Sequence, residues 1–207
     1  YYVDLKPKVF DAKIFPDNTH YSDEDAEDDW GTVMIVGLNM GGKQICVEDW
    51  FDDGTGTTYY ETRTFHPSYA AIDITEPRDP KLLWERTYED LGMTMSIPAV
   101  VRVKDEWFAV FGSGPTTYDG TTTNNGHVYV VDLETGNAHP NPTEFGSGVT
   151  NAWLFETSES NAFMNSPVSL DKELNFNVDA VYIGESYDSG SWLGKVYRIG
   201  IPWDWSD

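Results

Sequence analysis

Three times along this 207-residue chain a proline opens a valine-bearing segment, and an apolar run ending in glycine follows it. The copies are Lys6-Pro7-Lys8-Val9 with Trp30 to Gly37, Ile97-Pro98-Ala99-Val100 with Trp107 to Gly112, and Ser166-Pro167-Val168 with Val181 to Gly184. A recurring short-strand unit constrains the fold more than any single motif, because such a unit cannot bury its own faces and must stack on its neighbours. The expected fold class is all-β, with the units as blades of a β-propeller.

The segments that close each unit support this reading. Tyr69 to Asp73, Val128 to Asp132 and Val196 to Gly200 combine an aromatic with β-branched or small apolar residues, which fit a pleated, half-buried surface. Thr75-Glu76-Pro77-Arg78-Asp79-Pro80 and Glu134-Thr135-Gly136-Asn137 carry turn chemistry, and Lys81 to Glu85 reads as an outermost strand. Helical periodicity is confined to a weak signal over Arg86 to Leu91. Surplus residues fall in loops: the acidic Tyr21 to Asp29, the Gly/Thr-rich Asp52 to Thr58, Ser113 to Gly126, and Ser186 to Ser191. Loop length adds little closure entropy, so these are the expected carriers of function.

A hydrophobic content of 40%, with 8 Trp, 12 Tyr and 10 Phe, is enough for a packed β domain. The units span roughly 1–90, 91–160 and 161–207 of one propeller domain. Three to four blades fall short of closing a ring, so the sequence predicts further blades before Tyr1, or a partner chain that supplies them. The net charge of -22 disfavours nucleic acid and anionic membrane as partners and turns attention to cations. No apolar run is long enough to insert in a bilayer. Cys46, the single cysteine, reads as a small buried apolar residue, with a bridge to a missing part as the other reading.

Chemistry-bearing constellations are sparse. His20, His66, His127 and His139 lie on separate segments without metal or nucleophile spacing, and no Gly-x-Ser-x-Gly occurs. The chain therefore reads as a non-enzyme. Asp23 to Asp29 packs six carboxylates into seven residues, a candidate cation site or a solvated loop. Asp119 and Asp188 are lesser candidates. Trp30 and Trp107 hold equivalent places and should plug the space between sheets, with Trp50, Trp84 and Trp153 doing the same. Trp192, Trp203 and Trp205 are candidates for an exposed aromatic set that docks a neighbouring domain or another protein subunit.

Asp29-Trp30-Gly31-Thr32-Val33-Met34-Ile35-Val36-Gly37, the Tyr69 to Glu85 run, and Leu91 to Ala99 with Trp107 and Val110-Phe111-Gly112 occur in an order that resembles the PilY-type type IV pilus tip and biogenesis proteins. The resemblance implies a C-terminal quinoprotein-like β-propeller of a secreted protein, at the pilus tip or outer surface, exported through the periplasm. It further implies a role in pilus assembly, attachment and twitching motility. Pilins or minor pilins, and surface or host ligands, would be the partners.

The same resemblance implies a calcium loop with oxygen ligands at alternate positions, the seventh through a backbone carbonyl. The matching residues are Asp171, Glu173, Asn175, Asn177 and Asp179. Read by chemistry alone, three carboxylates and two amides in this register suit a hard cation that takes six to eight oxygens at roughly 2.3 to 2.6 Å. A polar hairpin turn is the alternative. The chain departs from the family at Phe176, where glycine is usual, at Asn175, usually aspartate, and at Glu173, usually shorter. Ala71-x-Asp73-x-Thr75 with Trp84 also resembles the tryptophan-docking repeat of pyrroloquinoline quinone dehydrogenases, which makes a quinoprotein enzyme the alternative function. A generic secreted adhesive propeller with no pilus role is the third.

Overall fold

A computed structural model describes residues 3–16, 30–52, 54–139 and 155–201. Strands β1 (Lys8–Lys13) and β2 (Trp30–Gly37) pair antiparallel, and the chain then leaves the sheet for a ribbon of β3 (Ile45–Asp52) and β4 (Thr58–Phe65). It returns as β5 (Tyr69–Asp73) and β6 (Lys81–Arg86), giving a first sheet of order β1-β2-β5-β6. The second sheet runs β10-β9-β8-β7, from β7 (Ala99–Val103), β8 (Glu106–Gly112), β9 (His127–Asp132) and β10 (Ala138–His139); β11 (Phe155–Glu156) pairs with the other end of β9. In the third, β12 (Ala162–Met164) and β13 (Val168–Leu170) lie end to end along β14 (Ala180–Asp188), and β15 (Trp192–Gly200) flanks its other edge. Pro167 falls in the break between β12 and β13, where its missing N–H is not needed by the ladder.

Alternation along the strands stacks these sheets. Ala109, Phe111, Tyr129 and Val131 of the second sheet join Val33, Ile35, Tyr69 and Ala71 of the first in one buried cluster. Their sequence neighbours Phe108, Val110, Val128 and Val130 join Met164, Val181 and Ile183 of the third sheet in another. The middle sheet is thus covered on both faces, which is why β8 and β9 read as nearly unbroken apolar runs. Gly112 sets the approach of the third sheet: a Cβ there would lie 2.2 Å from Met164 Cβ. Tyr69 and Phe111 meet at a tilt with 4.3 Å between centroids, and Phe111 and Tyr129 stack at 5.5 Å. The two hydroxyls donate to the Ser96 and Glu89 carbonyls, each at 2.6 Å, and burial pushes both phenols well above their usual range.

Trp84 locks the first sheet to the second. Its ring is buried, Nε1 donates to the Leu133 carbonyl at 2.8 Å, and the indole covers Gly136, where a Cβ would meet the ring at 2.6 Å. The turns at either side are built alike. Asp73 Oδ1 accepts from the Thr75 N–H and hydroxyl, and Asp132 Oδ1 accepts from those of Thr135.

Several expectations change. The Gly/Thr-rich segment is the tip of the β3–β4 ribbon, which among the described residues pairs with no other strand and is exposed along all of β4. Cys46 is accordingly exposed, with Sγ 3.5 Å from Thr64 Oγ1, and Trp50 is 66% exposed where a core plug was expected. Trp30 is only partly covered and meets Trp107 edge-on at 5.9 Å. Residues 86–91 form no helix: the segment turns through Asp90 at φ 53 and Gly92 at φ 62, left-handed values that end any helical run. Among the described residues the sheets close no ring or barrel, and no helix is long and apolar enough to cross a membrane. The acidic tract 23–29, His20, Trp153, Trp203 and Trp205 lie outside the described residues.

Candidate metal loop

Residues 171–179 connect β13 to β14, and the loop is wound around Asp171. One oxygen of its carboxylate accepts from the Asn175 N–H at 3.2 Å and the other from the Phe176 N–H at 2.7 Å. Asn175 Oδ1 accepts in turn from the Asn177 N–H at 2.9 Å, and Asp179 Oδ2 from the Lys172 N–H at 2.6 Å. Leu174 and Phe176 take φ values of 56 and 68, and both side chains are about four-fifths exposed. The backbone therefore makes the sharp turn that glycine makes at lower steric cost, with a phenyl group on it. Val178 alone of the intervening apolar residues packs inward, against the core shared by the second and third sheets.

The loop is also tied to the second sheet. Asn177 Oδ1 accepts from the Lys104 N–H at 2.8 Å in the β7–β8 turn, and the Val178 N–H donates to the Arg102 carbonyl at 3.0 Å. With its side-chain oxygen so engaged, Asn177 would meet a cation through its main-chain carbonyl. The donor chemistry of Asp171, Asn175 and Asp179 fits a hard cation, since a carboxylate oxygen holding one N–H keeps a second lone pair. Glu173 is not drawn into this hydrogen-bonded set, and no three His, Cys, Asp or Glu side chains form a metal-binding group among the described residues.

The other acidic candidates are committed to turns. Asp119 accepts from the Thr117 and Thr121 hydroxyls, which, with the Thr121 N–H, hold its carboxyl down to about 2; Asp188 caps the Gly190 N–H at 2.9 Å. His127 is buried, 3.8 Å from Glu156, and burial lowers its pKa. Glu185, fully buried at the interface of the second and third sheets, was not singled out by sequence; Oε2 accepts from the Tyr197 hydroxyl at 2.8 Å while Oε1 has no hydrogen-bond partner. The signal for it was alternation: Val181, Ile183 and Glu185 share one face of β14. A cleft holding Glu89 and Asp90 was also missed, because its walls come from distant stretches of chain.

No family model matches the sequence. Among solved structures, the crystal structure of the Pseudomonas aeruginosa PilY1 C-terminal domain is similar, with a TM-score of 0.54 at 24% identity over 89% of this chain and 28% of that one. The stacked antiparallel sheets thus have the fold of that domain. In sequence, the chain is 33% identical over 174 residues to the type IV pilus biogenesis factor PilY1 homolog of Xylella fastidiosa, covering 82% of this chain and 10% of that protein. It is 31% identical over 140 residues to the type IV pilus biogenesis factor PilY1 of Pseudomonas aeruginosa strain UCBPP-PA14, covering 66% of this chain and 9% of that protein. The chain belongs to the PilY1-type family, and spans about a tenth of the length of these curated relatives.

Proposed function

We propose that this chain is part of a β-propeller in a type IV pilus biogenesis factor and serves as a non-enzymatic assembly and adhesion module at the pilus tip or outer surface. The observation that carries this reading is the similarity to PilY1-type proteins over most of the chain. The stacking of three antiparallel sheets face to face, each a unit of the sequence repeat, supports the propeller. Pilins or minor pilins are the partners, and other blades of the same propeller cover the outer sheets. In the organism that carries it, an in-frame deletion of residues 1–207 should leave the protein exported while surface pili and twitching are lost. Normal pili and twitching would refute the assignment.

Calcium is the proposed ion of the 171–179 loop. Asp171 and Asp179 would hold it with Asn175 and the Asn177 carbonyl, and Glu173 would join from the exposed side. Its two positive charges relieve the repulsion between the carboxylates and stiffen the link between the β7–β8 turn and β14. Calorimetric titration of the chelated protein should show binding that Asp179→Ala abolishes. The quinoprotein alternative draws on Asp73, Thr75 and Trp84, and these residues are engaged in turn-building and in packing the first sheet on the second.

A further inference from the structure

The β3–β4 ribbon has two unlike faces. In the register of its ladder, Val47 stands opposite Arg63 and Asp49 opposite Glu61, and Arg63 pairs with Glu61 at 2.9 Å and lies 3.9 Å from Asp49. The other face carries Trp50 opposite Tyr60, Glu48 opposite Thr62 and Cys46 opposite Thr64, with no basic residue among them. Trp50 is 66% and Tyr60 83% exposed. A directly opposite aromatic pair contributes about 0.2–1 kcal/mol to the pairing of the two strands, and both rings still keep most of their surface open to water.

The ladder ends with Ile45 opposite Phe65, and just beyond it come Gln44 and His66. Both line a cleft of about 410 Å³ at the root of the ribbon, with Tyr88, Glu89, Asp90 and Asn124. The floor is rigid. Asp90 sits at φ 53 and its Oδ1 accepts from Asn124 Nδ2 at 3.1 Å; the Gly114 N–H donates to the Leu91 carbonyl at 2.8 Å; the Glu89 carbonyl is held by Tyr129. Lys and Arg are absent from the cleft lining as from the aromatic face.

We propose that the cleft and the Trp50–Tyr60 face form one continuous track that binds an extended, basic polypeptide segment of a partner protein. Trp50 is six positions on from Gln44, roughly 20 Å in strand geometry, which matches about six residues of an extended ligand. One lysine or arginine enters the cleft and meets the carboxylates of Glu89 and Asp90. Glu48 lies midway, and a second cation lies over the Trp50 and Tyr60 rings at the far end. Charge complementarity selects this occupant, because the track is acidic and aromatic and neither lysine nor arginine lines it. The inference stands apart from the pilus and calcium assignments.

The test is fluorescence anisotropy of the full chain at physiological ionic strength, where charges more than about 8 Å apart are screened. The probe is a blocked, labelled octapeptide alternating lysine and threonine, beside the same peptide with glutamate for lysine. The lysine peptide should bind saturably and the glutamate peptide should not. Trp50→Ala with Tyr60→Ala, and separately Glu89→Gln with Asp90→Asn, should each weaken binding by about tenfold. Asp49→Asn with Glu61→Gln, equal in charge change to the second pair but on the opposite face, should stay within about twofold. Absence of saturable binding, equal loss from both faces, or loss in only one of the two track variants would overturn the proposal.

Discussion

Replacing Gly136 should test the docking of Trp84 more sharply than truncating Trp84 itself. The ring is 3% exposed, so Trp84→Ala removes most of a large aromatic from the interface of the first two sheets, at a cost of about 3–5 kcal/mol. Part of that cost is the Leu133 carbonyl left without its indole donor, about 1–3 kcal/mol. Gly136→Ala acts through two separable routes. A methyl at φ 69 costs about 1 kcal/mol by itself, and the same methyl, 2.6 Å from the indole, forces the ring off its seat for about 1–3 kcal/mol more. With Trp84 already alanine, only the backbone component remains. The double variant should therefore be more stable than the sum of the singles predicts, by about 1–3 kcal/mol, in urea denaturation followed by far-ultraviolet circular dichroism. Additivity within about 0.5 kcal/mol would mean that the indole and the glycine do not share a contact, and would refute the packing account of this motif.

Phe176→Gly should raise the stability of the folded chain by about 1 kcal/mol in urea denaturation, because the left-handed strain is present in the loop as it stands and the largely exposed phenyl group contributes little burial; unchanged or lower stability would show that the phenyl group supports the loop. His127 predicts a pH dependence of stability. Burial, working against the nearby carboxylates of Glu156, Asp90 and Glu89, lowers its pKa in the folded protein below the ordinary histidine value of 6.5, so below that pH the unfolded chain binds more protons. Its contribution is full above 6.5 and is lost as pH falls from there through the folded pKa. His127→Gln should flatten the fall of the melting temperature across that window, and an unaltered slope would exclude the residue as the source.

What the sequence discloses follows from how locally each feature is determined. β2 and β5 begin and end where the repeat places them, Trp30–Gly37 and Tyr69–Asp73, because aromatic and β-branched residues between turn formers specify a strand without help from the rest of the chain. The ribbon was hidden by its polarity. Thr58-Tyr59-Tyr60-Glu61-Thr62-Arg63-Thr64-Phe65 is rich in strand formers, and Gly54 and Gly56 at φ 79 and 85 supply the turn, but no face is apolar enough to read as buried. Cys46 and Trp50 were misplaced for the same reason, since burial of a small or aromatic side chain depends on a second layer that only tertiary structure provides or withholds. The Asp171 loop was legible as an alternation of oxygen-bearing residues, whereas the commitment of Asn177 to Lys104 comes from a contact across 73 positions.

The antiparallel course of the strands also separates the two candidate sites. The 171–179 loop touches the second sheet at the β7–β8 turn, through Asn177 to the Lys104 N–H. The chain then runs the length of β8, from Glu106 to Gly112, before the 113–126 loop brings Thr116 and Asn124 into the cleft below the ribbon. Seven strand residues span about 20 Å, so the loop and the cleft lie at opposite ends of the same sheet. Between them stand β8 and β9, close-packed on both faces, and close-packed interiors are not continuously deformable; coupling between sites requires an element with two discrete arrangements. Calcium saturation, or its loss in Asp179→Ala, should accordingly leave the affinity for the lysine peptide unchanged within about twofold. A tenfold change would show that the sheets transmit the state of the loop, and would place a bistable element inside what is here a rigid stack.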